Sequence, residues 1–103
     1  MARLRYMAAA RTDLVPITTY IADQSGSRAV AERFANRLGA KCREIANAPI
    51  RLGRARPSLR PDIRSLTFGN YVIFFRYLDD LVEITNVIEG RRDIEALFRK
   101  NEQ

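Results

Sequence analysis

The chain has no histidine and no tryptophan, one cysteine (Cys42), and only two lysines among eighteen basic residues. Without histidine it lacks the side chain that most often serves as general base near neutral pH and as metal ligand. One cysteine excludes an internal disulfide, and no cluster of Cys, His and carboxylates has the spacing of a metal centre, so neither metal nor cofactor is expected. Cys42 falls in a helical pattern, where its simplest role is that of a small buried hydrophobe. No apolar run approaches the roughly 20 residues that a membrane span requires. The opening MARLRYMAAARTD has no apolar core of a secretory signal. A cytoplasmic protein without membrane contact is expected, and 103 residues suffice for one domain, residues 1–103, with one core.

What the chain does have is apolar content (47%) and arginine. Sixteen Arg and two Lys against twelve acids give a formal charge of +6. A guanidinium is a planar fork suited to carboxylate and phosphate, so a polyanion or an acidic protein is a natural partner. A solvated arginine surface would give the same count, and charge alone does not choose.

The densest apolar stretch lies between residues 63 and 98. Runs 63–68, 71–78 and 81–88 are separated by Gly69-Asn70 and by Asp79-Asp80. Two-residue breaks of this composition between β-branched and aromatic runs predict hairpins, and hence a three-strand antiparallel meander. In the middle run Tyr71, Ile73, Phe75 and Tyr77 alternate with Val72, Phe74, Arg76 and Leu78. Both sets are apolar, which predicts a central strand covered on both faces. In the last run Val82, Ile84, Asn86 and Ile88 alternate with Leu81, Glu83, Thr85, Val87 and Glu89; the second, partly polar set is expected to line a cleft or face solvent. Arg76 can pair with Glu83 across the Asp79-Asp80 turn, as cross-strand neighbours do.

Upstream, Leu4, Tyr6 and Ala8 alternate with Arg3, Arg5 and Met7, as in a strand over residues 4–8 with one buried face. The sheet can take it at an edge or centrally. In RTDLVPITTYIADQSG, Leu14, Ile17, Tyr20 and Ile21 recur at helical spacing. Thr12 or Asp13 can cap that helix, leaving Pro16 in the tolerant first turn; a start near Ala9 would instead put Pro16 in the interior. After Gln24-Ser25-Gly26, Ser27 can cap a longer helix whose stripe is Val30, Phe34, Leu38, Cys42 and Ile45. The two helices form a hairpin. The segment 48–61, with three prolines and Gly53, predicts irregular structure. Residues 51–64 carry five arginines and one acid, a charge of +4 on a loop, where binding residues concentrate.

The expected fold is therefore α+β: an N-terminal strand, a helical hairpin packed on an antiparallel sheet, and a short C-terminal helix, in the order β-α-α-β-β-β-α. That order resembles the RelE/ParE superfamily of type II toxin–antitoxin toxins, and specifically its ParE branch. The resemblance is carried by Asp13-Leu14, Tyr20-Ile21, Ala48-Pro49 and Gly53-Arg54. Stronger pieces are Leu59-Arg60-Pro61-Asp62-Ile63-Arg64-Ser65, Asn70-Tyr71-Val72-Ile73-Phe74-Phe75-Arg76, and Val87-Ile88-Glu89-Gly90-Arg91-Arg92-Asp93-Ile94. One departure is Glu89, where family members often carry histidine before Gly-Arg-Arg; here an ion pair with Arg91 is expected. The resemblance implies a growth-inhibiting toxin neutralised in a hetero-oligomer with a cognate ParD-like antitoxin. ParE-like members are taken to poison DNA gyrase, and RelE-like members to cleave mRNA on the ribosome.

The chemistry favours the first. Cleavage by 2′-OH attack needs a general base and acid beside cationic groups. The segment after Gly90 holds neither Tyr nor His, and arginine stays protonated. Glu83 and Glu89 are the remaining bases. Binding needs no such groups: Arg60, Arg64, Arg76, Arg91 and Arg92 are the candidate target-binding residues, and no catalytic residue is assigned. For the antitoxin, an amphipathic segment on the helical face would meet Leu14, Ile17, Tyr20, Phe34 and Leu38. Alternatives are a ribosome-dependent endonuclease and a non-toxic nucleic-acid-binding module with interleaved aromatics and arginines.

Overall fold

In the computed structural model, which describes residues 2–101, both two-residue breaks turn hairpins. The chain runs β1 (Arg3–Tyr6), α1 (Ala8–Ser25), α2 (Arg28–Asn47), β2 (Arg54–Ala55), β3 (Arg64–Phe68), β4 (Tyr71–Leu78), β5 (Leu81–Glu89) and α3 (Ile94–Asn101). The five strands form one sheet in the order β1-β5-β4-β3-β2. All neighbours are antiparallel except β1, which lies parallel to β5 at the sheet edge, so the α1–α2 hairpin and the meander together form the crossover. The expected meander is present and β4 is central in it, with Ile73, Phe74 and Phe75 all fully buried.

The alternation of β4 divides the core. Ile73 and Phe75 face the helical hairpin, meeting Ala10, Leu38, Cys42 and Ile45. Phe74 faces the other way, into a smaller cluster with Leu59, Ile63, Ile88 and Phe98 that α3 covers. Cys42 is buried and free, as its place in the stripe predicts. Ser27 caps α2 by accepting from the Val30 N–H at 3.3 Å.

Three expectations are corrected, and one left open, the place of Pro16 in its helix, is decided. The first concerns β5, whose simple alternation fails because of a β-bulge: Phe74 is opposite Asn86 while Phe75 is opposite Ile84, leaving Thr85 as the extra residue. The parity of β5 therefore switches, so Val87 joins Val82 and Ile84 on the helical side and Ile88 goes to the opposite cluster. Glu83, Thr85 and Val87, expected at a cleft or in solvent, are buried. Thr85 satisfies its hydroxyl by donating to the Phe74 carbonyl at 3.2 Å.

The second concerns the N-terminus. β1 ends at Tyr6 and Met7 is already the cap residue of α1, so Ala8 is helical. Three alanines at 8–10 propagate a helix better than any capping side chain downstream can restart one, and Ala10 is fully buried. Pro16 consequently sits inside the helix and Thr12 and Asp13 do not cap it; the proline leaves the Thr12 carbonyl without its intrahelical donor. Third, segment 48–61 is not wholly irregular: Arg54 and Ala55 pair with Ser65 and Arg64.

Candidate functional site

Polar side chains concentrate in two places: the sheet face turned away from the helical hairpin, and a groove beside α1. On the sheet face, Glu83 of β5 stands between Arg5 of β1 and Arg76 of β4 in the strand register. Its side chain is 1% exposed and accepts from both: Oε2 from Arg5 Nη2, and Oε1 from Arg76 Nε at 2.7 Å. Arg76 Nη1 also donates to Asp62 at 3.2 Å. Burial pushes the Glu83 carboxyl up, but the two guanidiniums donate to it and attract it, and together they hold it below the ordinary carboxylate range. The same hydrogen bond, donated to Glu83, raises the Arg76 pKa.

The remaining candidate target-binding residues do not converge. Arg60 stacks on the Phe98 ring, 5.3 Å from its centroid. Arg64 turns inward: its Nε donates to the Leu52 carbonyl at 2.8 Å and its Nη2 to Gly53 at 3.0 Å, so it ties down the basic loop. Arg91 and Arg92 lie exposed beyond β5. Arg91 does pair with Glu89, at 3.6 Å, on the solvent side. The sequence reading did not place Arg5, Arg54 and Arg56 on the same face of the sheet as Arg76. Arg5 had a signal in its alternation with Leu4 and Tyr6. Arg56, whose Nη1 donates to Ser65 Oγ at 3.3 Å and whose guanidinium lies over Phe74, had none, because β2 is too short to show a pattern.

The groove has a volume of about 450 Å³ and runs between α1, the end of β5 and α3. Ile17, Tyr20, Tyr71 and Leu97 supply its apolar walls; Asp13, Glu89 and Arg92 supply its charges. Asp13 Oδ2 accepts from the Val87 N–H at 3.0 Å and from Asn86 Nδ2 at 3.3 Å, bracing α1 against the strand just past the bulge. Burial raises the Asp13 pKa more than these two bonds lower it. Of the residues assigned to the antitoxin, Ile17 and Tyr20 line the groove, and Tyr20 is 58% exposed. Leu14 is half-buried against the core. Phe34 and Leu38 are buried, Phe34 edge-on to Phe68 and Tyr71, so neither is surface of the folded chain.

No curated protein matches the chain. A solved structure titled "Chromosomal ParDE TA system from P. aeruginosa" shares the fold, with a TM-score of 0.72 at 21% identity over 86% of this chain and 96% of that one. The family model described as "ParE toxin of type II toxin-antitoxin system, parDE" matches residues 4–94. That span begins in β1 and ends at the first residue of α3, taking in the Arg5–Glu83–Arg76 cluster, the groove wall of α1 and the Gly90-Arg91-Arg92 exit. The chain belongs to the ParE toxin family of type II toxin–antitoxin systems.

Proposed function

We propose that the protein inhibits DNA gyrase, and so blocks replication, by binding rather than by catalysis, and that a ParD-like antitoxin neutralises it by direct contact. The observation that carries the binding reading is the state of Glu83. Among the described residues it is the buried carboxylate of the arginine-bearing face, and two guanidiniums donate to it, one to each oxygen, and favour its ionised form. A general base must release such bonds to accept a proton, and its pKa should lie near the working pH, not below the carboxylate range. Tyr77 has a structural partner of its own, its hydroxyl accepting from the Leu52 N–H at 2.8 Å. Glu83, the better placed of the two candidate bases, is thus engaged in holding the arginines, which supports a binding role for this face.

The antitoxin reading rests on family membership and on the groove. Ile17, Tyr20 and Leu97 offer apolar walls of the kind that an amphipathic segment packs against. Gyrase is the expected target, with exposed Arg91 and Arg92 at the β5 exit the first candidates for contact.

The test is a supercoiling assay with purified gyrase. Supercoiling should fall and cleaved DNA accumulate as the protein is added, and the product of a short co-transcribed neighbouring gene should relieve both. No effect at stoichiometric excess would overturn the gyrase target. Cuts in mRNA on translating ribosomes would establish the endonuclease alternative instead.

A further inference from the structure

We propose that the sheet face opposite the helical hairpin is a binding surface for the phosphodiester backbone of nucleic acid, organised around the Arg5–Glu83–Arg76 cluster. Cross-strand partners project to the same side of a sheet, so Arg5, Glu83 and Arg76 share a face. It is the face of Phe74, two residues from Arg76 on the same strand, and not that of Phe75 and the helices.

Glu83 does on this face what a buried carboxylate does best, fixing two forks at once. Each guanidinium carries five N–H donors. Arg5 gives one to Glu83, and Arg76 gives one to Glu83 and one to Asp62, so both keep donors to spare. Their side chains are 57% and 31% exposed. The row continues in both directions. Arg3 lies two residues before Arg5 on the edge strand, its guanidinium 3.5 Å from Asp80, with both side chains exposed. Arg54 pairs in register with Ser65, the strand partner of Phe74, and Arg56 donates to that same Ser65. Arginines thus reach from one edge of the sheet to the other, about 19 Å at ~4.8 Å per strand interval.

The exposed chemistry favours phosphate over an acidic protein. Protein interfaces set their anchoring arginines among aromatic and apolar side chains. Here Phe74 and Ile88 are buried beneath α3, whose Phe98 packs onto them. Among the described residues the exposed large hydrophobics are Met7, Val15, Tyr20 and Ile50, and none lies in a strand. Forks without exposed aromatics contact backbone and not bases, so binding should be independent of sequence.

The experiment uses the full chain and no gyrase, so it stands or falls separately from the target assigned above. Fluorescence anisotropy with a labelled duplex DNA of about 20 base pairs should show binding that weakens steeply between about 50 and 200 mM salt. Arg5→Ala and Arg54→Ala, each shown folded by circular dichroism, should weaken binding several-fold and lower the salt slope by about one. Arg37→Ala removes the same charge from an exposed position on α2, behind the sheet, and should leave affinity unchanged. Single-stranded DNA and RNA of the same sequence identify which backbone is preferred, and a preference for any of the three supports the proposal. It is overturned if none of them binds at low salt, if Arg37→Ala weakens binding as much as Arg5→Ala, or if polyglutamate competes as well as DNA, which would make the surface one for acidic protein.

Discussion

Arg76 Nε donates to Glu83 Oε1 at 2.7 Å from across the β4–β5 hairpin, and Glu83 completes its bonding with Arg5 from the edge strand. One buried carboxylate therefore joins three strands, including the parallel partner that is furthest away in sequence. The arrangement makes β1 an electrostatic as well as a hydrogen-bonded part of the sheet.

Glu83→Gln should destabilise the fold by about 2–4 kcal/mol at pH 7, since it leaves two guanidiniums facing one neutral amide. The sign of the pH dependence follows from the lowered folded pKa. The stabilisation is complete above the ordinary value of 4.5 and is lost as pH falls through the lower folded value. The gap between wild type and Glu83→Gln in urea denaturation should accordingly shrink on acidification below pH 4.5. A gap independent of pH would mean that the carboxylate charge is not what stabilises.

Asp13 has the opposite sign. Its pKa is raised from 3.8, so its ionisation costs stability as pH rises from that value through the folded one. Asp13→Asn keeps an oxygen for the Val87 N–H and removes the charge; it should fall within about 0.5 kcal/mol of wild type at pH 7, or exceed it. Asp13→Ala strands both donors and should cost about 1–3 kcal/mol. Chemical denaturation of the two variants side by side makes the comparison.

Gly53 should tolerate no side chain. Its φ is +74°, and an added Cβ would lie 2.6 Å from the Ser65 carbonyl oxygen and 2.9 Å from the Phe75 ring. Gly53→Ala should cost about 2 kcal/mol or more, from left-handed strain and overpacking together. The thermal midpoint would show it, and the Arg64 anchor on the Gly53 carbonyl should loosen with it.

Phe98 is 1% exposed and meets Phe74 edge-on at 4.9 Å, making it the main attachment of α3. Phe98→Ala should cost about 3–5 kcal/mol. Amide exchange should accelerate first in α3 while α1 and α2 keep their protection.

The sequence by itself determined the meander, the amphipathic α2 with its Ser27 cap, the buried Cys42 and the Arg76–Glu83 and Glu89–Arg91 pairs. All of these depend on residues close in the chain or joined by a two-residue turn, where period and turn chemistry leave one solution. It also carried the family resemblance, because the β3–β4 segments and the Gly90-Arg91-Arg92 exit are contiguous. Tertiary structure decided the rest. The bulge at Thr85 reverses the facing of the last residues of β5, and a one-residue insertion in a strand is invisible to a period-2 pattern whose two sets both mix apolar and polar residues. The start of α1 at Ala8 depends on where Ala10 meets the sheet, which frees Asp13 from capping to brace β5. Most of all, parallel pairing across nearly eighty residues brings Arg5 to Glu83, and the short β2 brings Arg54 and Arg56 to the same face. The arginines were countable from the start, but which of them stand together is set by strand order, and strand order is a property of the packed sheet.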